Sequence, residues 1–144
     1  MDAVYVDTCV YRDCFEWRQG GCPYIHFGQE AKDLITDVLH GKYMLITSDH
    51  LEYQLKQFPE YYSLTQELDT KKLRRHVQKT NEDIQWAQSE ESHGHIDFED
   101  ALHLALAFKA KARFFVTQNI RDFEDYRNKI IVITPALIGF PCFQ

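Results

Sequence analysis

Asp97-Phe98-Glu99-Asp100-Ala101-Leu102-His103-Leu104-Ala105-Leu106-Ala107-Phe108, followed closely by Phe114-Phe115-Val116-Thr117, is the stretch whose reading decides the fold. Ala101, Leu104, Ala105, Phe108 and Ala112 recur at helical spacing, so the segment predicts a helix that lays one apolar stripe against a sheet. Asp97 suits the N-cap position, with Asp100 in the first turn. The run from Phe114 to Thr117 reads as a short strand, and Gln118-Asn119-Ile120-Arg121-Asp122-Phe123 continues from its end. A helix that feeds a buried strand is half of the repeating unit of a parallel sheet.

Outward from this core, Ala3-Val4-Tyr5-Val6-Asp7 is a mostly apolar run of the kind expected for a strand covered on both faces. An irregular stretch with Gly20, Gly21 and Pro23 is expected next. Gly28 to His40 then keeps helical spacing at Ala31, Leu34, Ile35, Val38 and Leu39, with Gly41 as its stop. Tyr43 to Thr47 predicts a second strand. Ser48 or Asp49 is placed to cap a helix bearing Leu51, Glu52 and Leu55, which Pro59 closes. From about Tyr61 to Glu90 the spaced apolar residues predict two surface helices in a hairpin. Ile130 to Thr134 predicts a last strand and Pro135 the first turn of a short helix. The alternation implies one α/β domain over residues 1–144 around a mostly parallel sheet.

Composition excludes several classes. With 44% hydrophobic and 26% charged residues, the 144-residue chain matches an ordinary globular protein. It has no apolar run approaching the ~18 residues of a membrane span. Met1-Asp2-Ala3 enters a strand pattern directly with no signal-like leader, so a cytoplasmic location is expected. Cys9, Cys14, Cys22 and Cys142 form no Cys-x-x-Cys pair and read as thiols, although Cys14, Cys22 and His26 have the chemistry of a zinc set. The net charge of −6 argues against a surface that grips nucleic acid everywhere. Clustered acids are also what a divalent-cation site contributes to a charge count.

Ligands of open parallel sheets bind beyond the carboxyl ends of the strands. Asp7 is expected at one such end and Asn119 with Asp122 just past another, while Glu52 and Asp100 can face the same edge from their helices. Two carboxylates ~4 Å apart repel by about 4 kcal/mol at an effective dielectric near 20, so a gathered set calls for a cation or a shared proton. Oxygen ligands of this kind suit Mg²⁺ or Mn²⁺. Taken singly, each acid also has a structural reading. Asp100 is favoured by the helix dipole, Glu52 can pair with Lys56, Asp122 can cap a turn, and Asp7 can close a loop.

In this order and spacing, Val6-Asp7-Thr8, Ser48 with Glu52, Asp100-Ala101-Leu102-His103-Leu104-Ala105, and Val116-Thr117 followed by Asn119 and Asp122-Phe123 resemble the PIN domain family of metal-dependent ribonucleases. The likeness is greatest to small single-domain members that act as toxins of VapBC-type toxin-antitoxin pairs, and it covers nearly the whole chain. It implies a three-layer α/β/α fold with helices flanking the sheet. It also implies Asp7, Glu52 and Asp100 as the principal metal-site acids, Asp122 as a fourth, and Thr8, Thr117 and Asn119 as supporting polar groups. Cys9 and Gln118 depart from residues common in relatives. The implied chemistry is hydrolysis of RNA by metal-activated water, and the implied partners are an antitoxin protein and a second copy of the chain.

Lys71, Lys72, Arg74, Arg75 and Lys79 form a basic run able to contact RNA phosphates or simply to solvate a helix face. Two rival readings remain. His93-Gly94-His95-Ile96-Asp97 has the pattern of a zinc hydrolase motif, and a PIN-type fold can also bind RNA or protein without cleaving it.

Overall fold

Five parallel strands lie in the order β3-β2-β1-β4-β5 in a computed structural model that describes residues 1–16 and 26–139. The strands are β1 (Asp2–Val6), β2 (Tyr43–Ser48), β3 (Arg74–Val77), β4 (Phe114–Val116) and β5 (Ile131–Ile133). The chain builds outward from β1 through β2 to β3, then returns to the other side of β1 to lay down β4 and β5. Strand order therefore reverses between β1 and β4, and a crevice opens beyond their carboxyl ends. The fold is the α/β architecture with a parallel sheet that the alternation predicts, and every observed pairing is parallel.

The helices are α1 (Thr8–Glu16), α2 (Phe27–Leu39), α3 (Asp49–Gln54), α4 (Pro59–Lys71), α5 (Asn81–Ser92), α6 (Phe98–Lys109) and α7 (Pro135–Ile138), with a 3₁₀ helix over Ile120–Tyr126. Helix α2 stops where expected, because Gly41 turns the chain at φ +84. The Ser48 hydroxyl accepts from Leu51 N at 3.1 Å and caps α3. Asp97 Oδ1 accepts from Asp100 N at 2.9 Å and caps α6. Thr80 and Asp83 form a reciprocal capping box at the start of α5. Pro135 stands in the first turn of α7.

Three expectations need correction. No hairpin of helices occupies residues 61–90: β3 separates α4 from α5 and pairs in parallel with β2, with Ile46 opposite Arg75. Its sequence, Arg74-Arg75-His76-Val77, hides the strand because an edge strand needs little apolar surface and tolerates charge. Pro59, expected to close a helix, opens α4 instead. The third correction is α1, which starts directly after Asp7 where an irregular stretch is expected to begin. Val10, Tyr11 and Cys14 form its buried face, too short a stripe to register beside the glycines that follow. Gly20, Gly21 and Pro23 lie outside the described residues, as does Cys22 of the possible zinc set. Among the described residues, Cys9 and Cys14 form no disulfide. Among the described residues no helix is long and apolar enough to cross a membrane.

Tyr5, at the centre of the sheet, is fully buried and stacks on Phe115 of the adjacent strand with ring centroids 5.6 Å apart. Phe115 in turn meets Phe123 of the 3₁₀ helix at 4.6 Å. This stack fixes the separation of β1 and β4 just below their carboxyl ends and ties the segment after β4 to the sheet. Phe115→Ala is expected to cost about 3–5 kcal/mol, measured by urea unfolding, because the site is closed on both sides and collapses poorly.

Candidate active site

Beyond the ends of β1 and β4 lies a cleft of about 330 Å³ whose walls include Asp7, Asp100, Gln54 and His103. Asp7 follows β1 directly, and its backbone N–H continues the ladder by donating to Val116 O at 2.9 Å. Its carboxylate is 4% exposed and well supplied with donors. Thr8 N donates to Oδ1 at 2.8 Å, Thr117 Oγ1 donates to Oδ2 at 2.8 Å, and Cys9 Sγ approaches Oδ2 at 3.5 Å. Asn119 N in turn donates to Thr117 Oγ1 at 3.0 Å, which orders the turn after β4. Three donors on about four lone-pair positions leave Asp7 roughly one position free.

Asp100 reaches the cleft from the first turn of α6. Its pKa is pushed up to about 7, first by burial and then by the negative charges of Asp7, Asp97 and Asp122. Burial also raises Asp7 against the opposing effect of its hydrogen bonds, with Asp122 adding a further upward push. Asp122 is exposed on the 3₁₀ helix and is felt by both carboxylates through its charge. The Cys9 thiol, raised to about 12 by burial and then by Asp7, stays protonated and serves as a weak donor.

Glu52 is not brought to this cleft. Its Oε1 lies 3.9 Å from His76 Nδ1 on β3. Two residues later on α3, about 200° further round the helix, Gln54 faces the cleft. Gln54 Oε1 accepts from the Thr8 hydroxyl and lies 2.8 Å from His103 Nε2. Since an amide oxygen only accepts, His103 must carry its proton on Nε2 and accept at Nδ1. Tyr5 OH, 2.7 Å from His103 Nδ1, therefore donates to it and accepts in turn from Ser48 Oγ at 2.9 Å. Every member of this buried chain is satisfied with no formal charge. Burial, followed by the charge of His50, holds His103 well below the ordinary histidine range and so neutral.

The donor chemistry suits one hard divalent cation. Two carboxylates whose mutual charge is unmet, with little competition from nitrogen or sulfur, match an ion that keeps several waters and binds through one or two carboxylates. A denser set does not form: among the described residues, no three His, Cys, Asp or Glu side chains are grouped to hold a metal ion. The pattern at residues 93–97 makes no such group either, although the rings of His93 and His95 stack with centroids 6.1 Å apart. Asp97 caps α6, His93 Nδ1 lies 2.6 Å from Ser89 O, and His95 faces Asp125 at 3.7 Å.

The basic run is largely engaged within the protein. Lys71 donates to Leu39 O at 3.0 Å, Arg74 forks onto Asp69 at 2.7 and 2.8 Å, Arg75 donates to Ala110 O at 2.5 Å, and Lys79 reaches Asp49 at 3.3 Å. Lys72 is exposed at the end of α4 with φ 60.

Residues 3–121 match the family model described as PIN domain. Two solved structures share the fold. A toxin-antitoxin complex from Klebsiella pneumoniae matches with a TM-score of 0.61 at 17% identity over 92% of this chain and 97% of that one. VapBC2 from Rickettsia felis, bound to a DNA fragment from its promoter, matches with a TM-score of 0.55 at 13% identity over 92% of this chain and 98% of that one. No curated protein sequence matches.

The two carboxylates carry a pH signature. Asp100 holds its proton up to about pH 7 when folded, whereas an unfolded aspartate releases it near pH 4. Between those values the folded state binds more protons, so its contribution to stability falls as pH rises. The melting temperature of the metal-free protein should drop relative to that of Asp100→Asn across this window, and Mg²⁺ should recover part of the loss. Parallel pH curves for the two proteins would contradict the raised pKa of Asp100.

Proposed function

The chain belongs to the PIN domain family, and from that premise we propose that it is a Mg²⁺- or Mn²⁺-dependent endoribonuclease, acting as a single PIN-like domain and as the toxin of a toxin-antitoxin pair. The observation that carries this reading is the pairing of Asp7 with Asp100 at one cleft, with Asp100 pushed up to about 7. A pair of like charges at a sheet's switch point, one buried and one half-buried, is costly unless a cation or a shared proton relieves it. Asp7 and Asp100 would hold the ion, with the exposed Asp122 adding negative charge at the mouth. When bound, such an ion lowers the pKa of water and compensates charge on phosphoryl oxygens.

The chain's own groups hold this arrangement in place. Thr117 and the Thr8 amide aim the Asp7 carboxylate, and the Asp97 cap sets the first turn from which Asp100 projects. Gln54 spends its carbonyl oxygen on Thr8 and His103, so it lines the cleft without adding charge. Glu52 stands outside this reading because His76 is its neighbour. Toxin-antitoxin complexes among solved structures of the same fold support an antitoxin partner, and a cytoplasmic location and a homodimer are part of the same proposal.

A second reading has an observation of its own. With Gln54 in the cleft and Glu52 turned away, two carboxylates remain, fewer than a dense acid set, which favours a PIN-fold module that binds RNA or protein without cleaving. The experiment is cleavage of several single-stranded RNAs with Mg²⁺ or Mn²⁺ and with chelator. Asp7→Asn and Asp100→Asn should each lower the rate about 100-fold or more, since even groups that only orient metal ligands are worth 10–100-fold. Glu52→Gln should stay close to wild type. Cleavage that survives chelation and both Asp substitutions would refute the nuclease reading, and RNA binding without any cleavage would favour the second.

A further inference from the structure

Arg12 stands one helical turn after Thr8 on α1 and lines the same cleft as Asp7 and Asp100. Its Nε is buried and has no hydrogen-bond partner, and among the described residues its guanidinium enters no ion pair. That is an unusual state for a charged donor, because a buried N–H left unpaired costs more than the bond it forgoes and native proteins rarely tolerate one. The acids nearby do not take it up: Asp7 already receives Thr8, Thr117 and Cys9, and neither Asp7 nor Asp100 forms an ion pair with Arg12. The contrast with the basic run is direct, since Lys71, Arg74, Arg75 and Lys79 are all spent on partners within the fold.

We propose that Arg12 is a substrate ligand that grips a backbone phosphate of RNA lying in the cleft, an inference that rests on the nuclease reading above. A guanidinium presents its N–H donors in a rigid fork that matches the two non-bridging oxygens of a phosphodiester. The neighbouring carboxylates do not oppose this arrangement once they hold a divalent cation, because such an ion keeps coordination positions that phosphate oxygens can enter. Arg12 would then register the backbone in the cleft from one side. Since phosphates carry no sequence, the contribution should be the same for every RNA.

The test is fluorescence anisotropy of labelled single-stranded RNAs of different sequence, titrated with the full chain at several salt concentrations, with Ca²⁺ in place of Mg²⁺. Arg12→Ala should weaken binding roughly 10- to 100-fold, as expected for a charge-assisted bond. It should also flatten the dependence of log K on log salt by about 0.7 for a single strand. Arg12→Lys should keep the salt dependence and recover only part of the affinity, because a point charge replaces a fork. Melting curves of both variants check that folding is intact, and Arg12→Lys carries the test if Arg12→Ala unfolds.

Wild-type affinity and salt dependence in Arg12→Ala would overturn the proposal and leave the nuclease reading standing. A loss confined to one RNA sequence would point to a base contact and overturn it too. Arg12-dependent binding of polyglutamate as tight as that of RNA would assign the guanidinium to protein carboxylates, with the same result. If wild type binds RNA through Arg12 but cleaves none, the nuclease reading fails and the phosphate ligand stands. If wild type binds no RNA, both fail.

Discussion

The parallel pairing of β1 with β4 is the constraint on which the rest of the site depends. It places Asp7 and Thr117 side by side beyond the last ladder bonds, so that Thr117 donates to Asp7 at 2.8 Å although the two are far apart in sequence. It also opens the crevice at the point where strand order reverses, which is where α6 delivers Asp100. The aromatic stack of Tyr5, Phe115 and Phe123 holds that pairing from below. A small shift between the two strands would separate the carboxylates and dissolve the electrostatic tension that defines the cleft.

Beneath the carboxylates, the chain uses uncharged polar groups to support them. Ser48, Tyr5, His103 and Gln54 form a continuous donor-to-acceptor series in which each bond direction follows from the amide oxygen at its end. Burying a polar network is favourable only when every member is satisfied, and a neutral histidine removes the need to desolvate another charge. Within this cleft, the cost of removing charge from water thereby falls on Asp7 and Asp100. Arg12 adds the opposite sign to the lining of the cleft, its buried Nε without a hydrogen-bond partner among the described residues.

Much of the fold was legible from periodicity. The α6 segment, its Asp97 cap, the α2 stop at Gly41 and the alternating order of strands and helices all follow from local pattern, and the family resemblance agrees with the matched model over residues 3–121. What could not be read there has identifiable causes. Strand β3 is charged because it forms a sheet edge, so its run of Arg74, Arg75 and His76 resembles a solvated helix. Helix α1 has too short a buried stripe to stand out. On α3, the acidic residue draws attention in a bare sequence, but helical phase turns Glu52 toward His76 and Gln54 toward the cleft. A neutral amide gives no such signal, and Arg12 gives none either, because an unpaired guanidinium cannot be recognised without its surroundings.

By itself, the sequence determined the class of architecture, the strand ends that bear Asp7 and Thr117, and the helix start that bears Asp100. These depend on local interactions: apolar spacing, caps, glycine and proline stops, each acting over a few residues. The tertiary structure alone decided which of those groups meet. It brought two of the four expected acids to the cleft, put Gln54 there rather than Glu52, tied most of the basic run into the fold and left the buried Nε of Arg12 unpaired among the described residues. Those outcomes depend on helix phase, sheet order and burial, and each of these is set by contacts between residues distant along the chain.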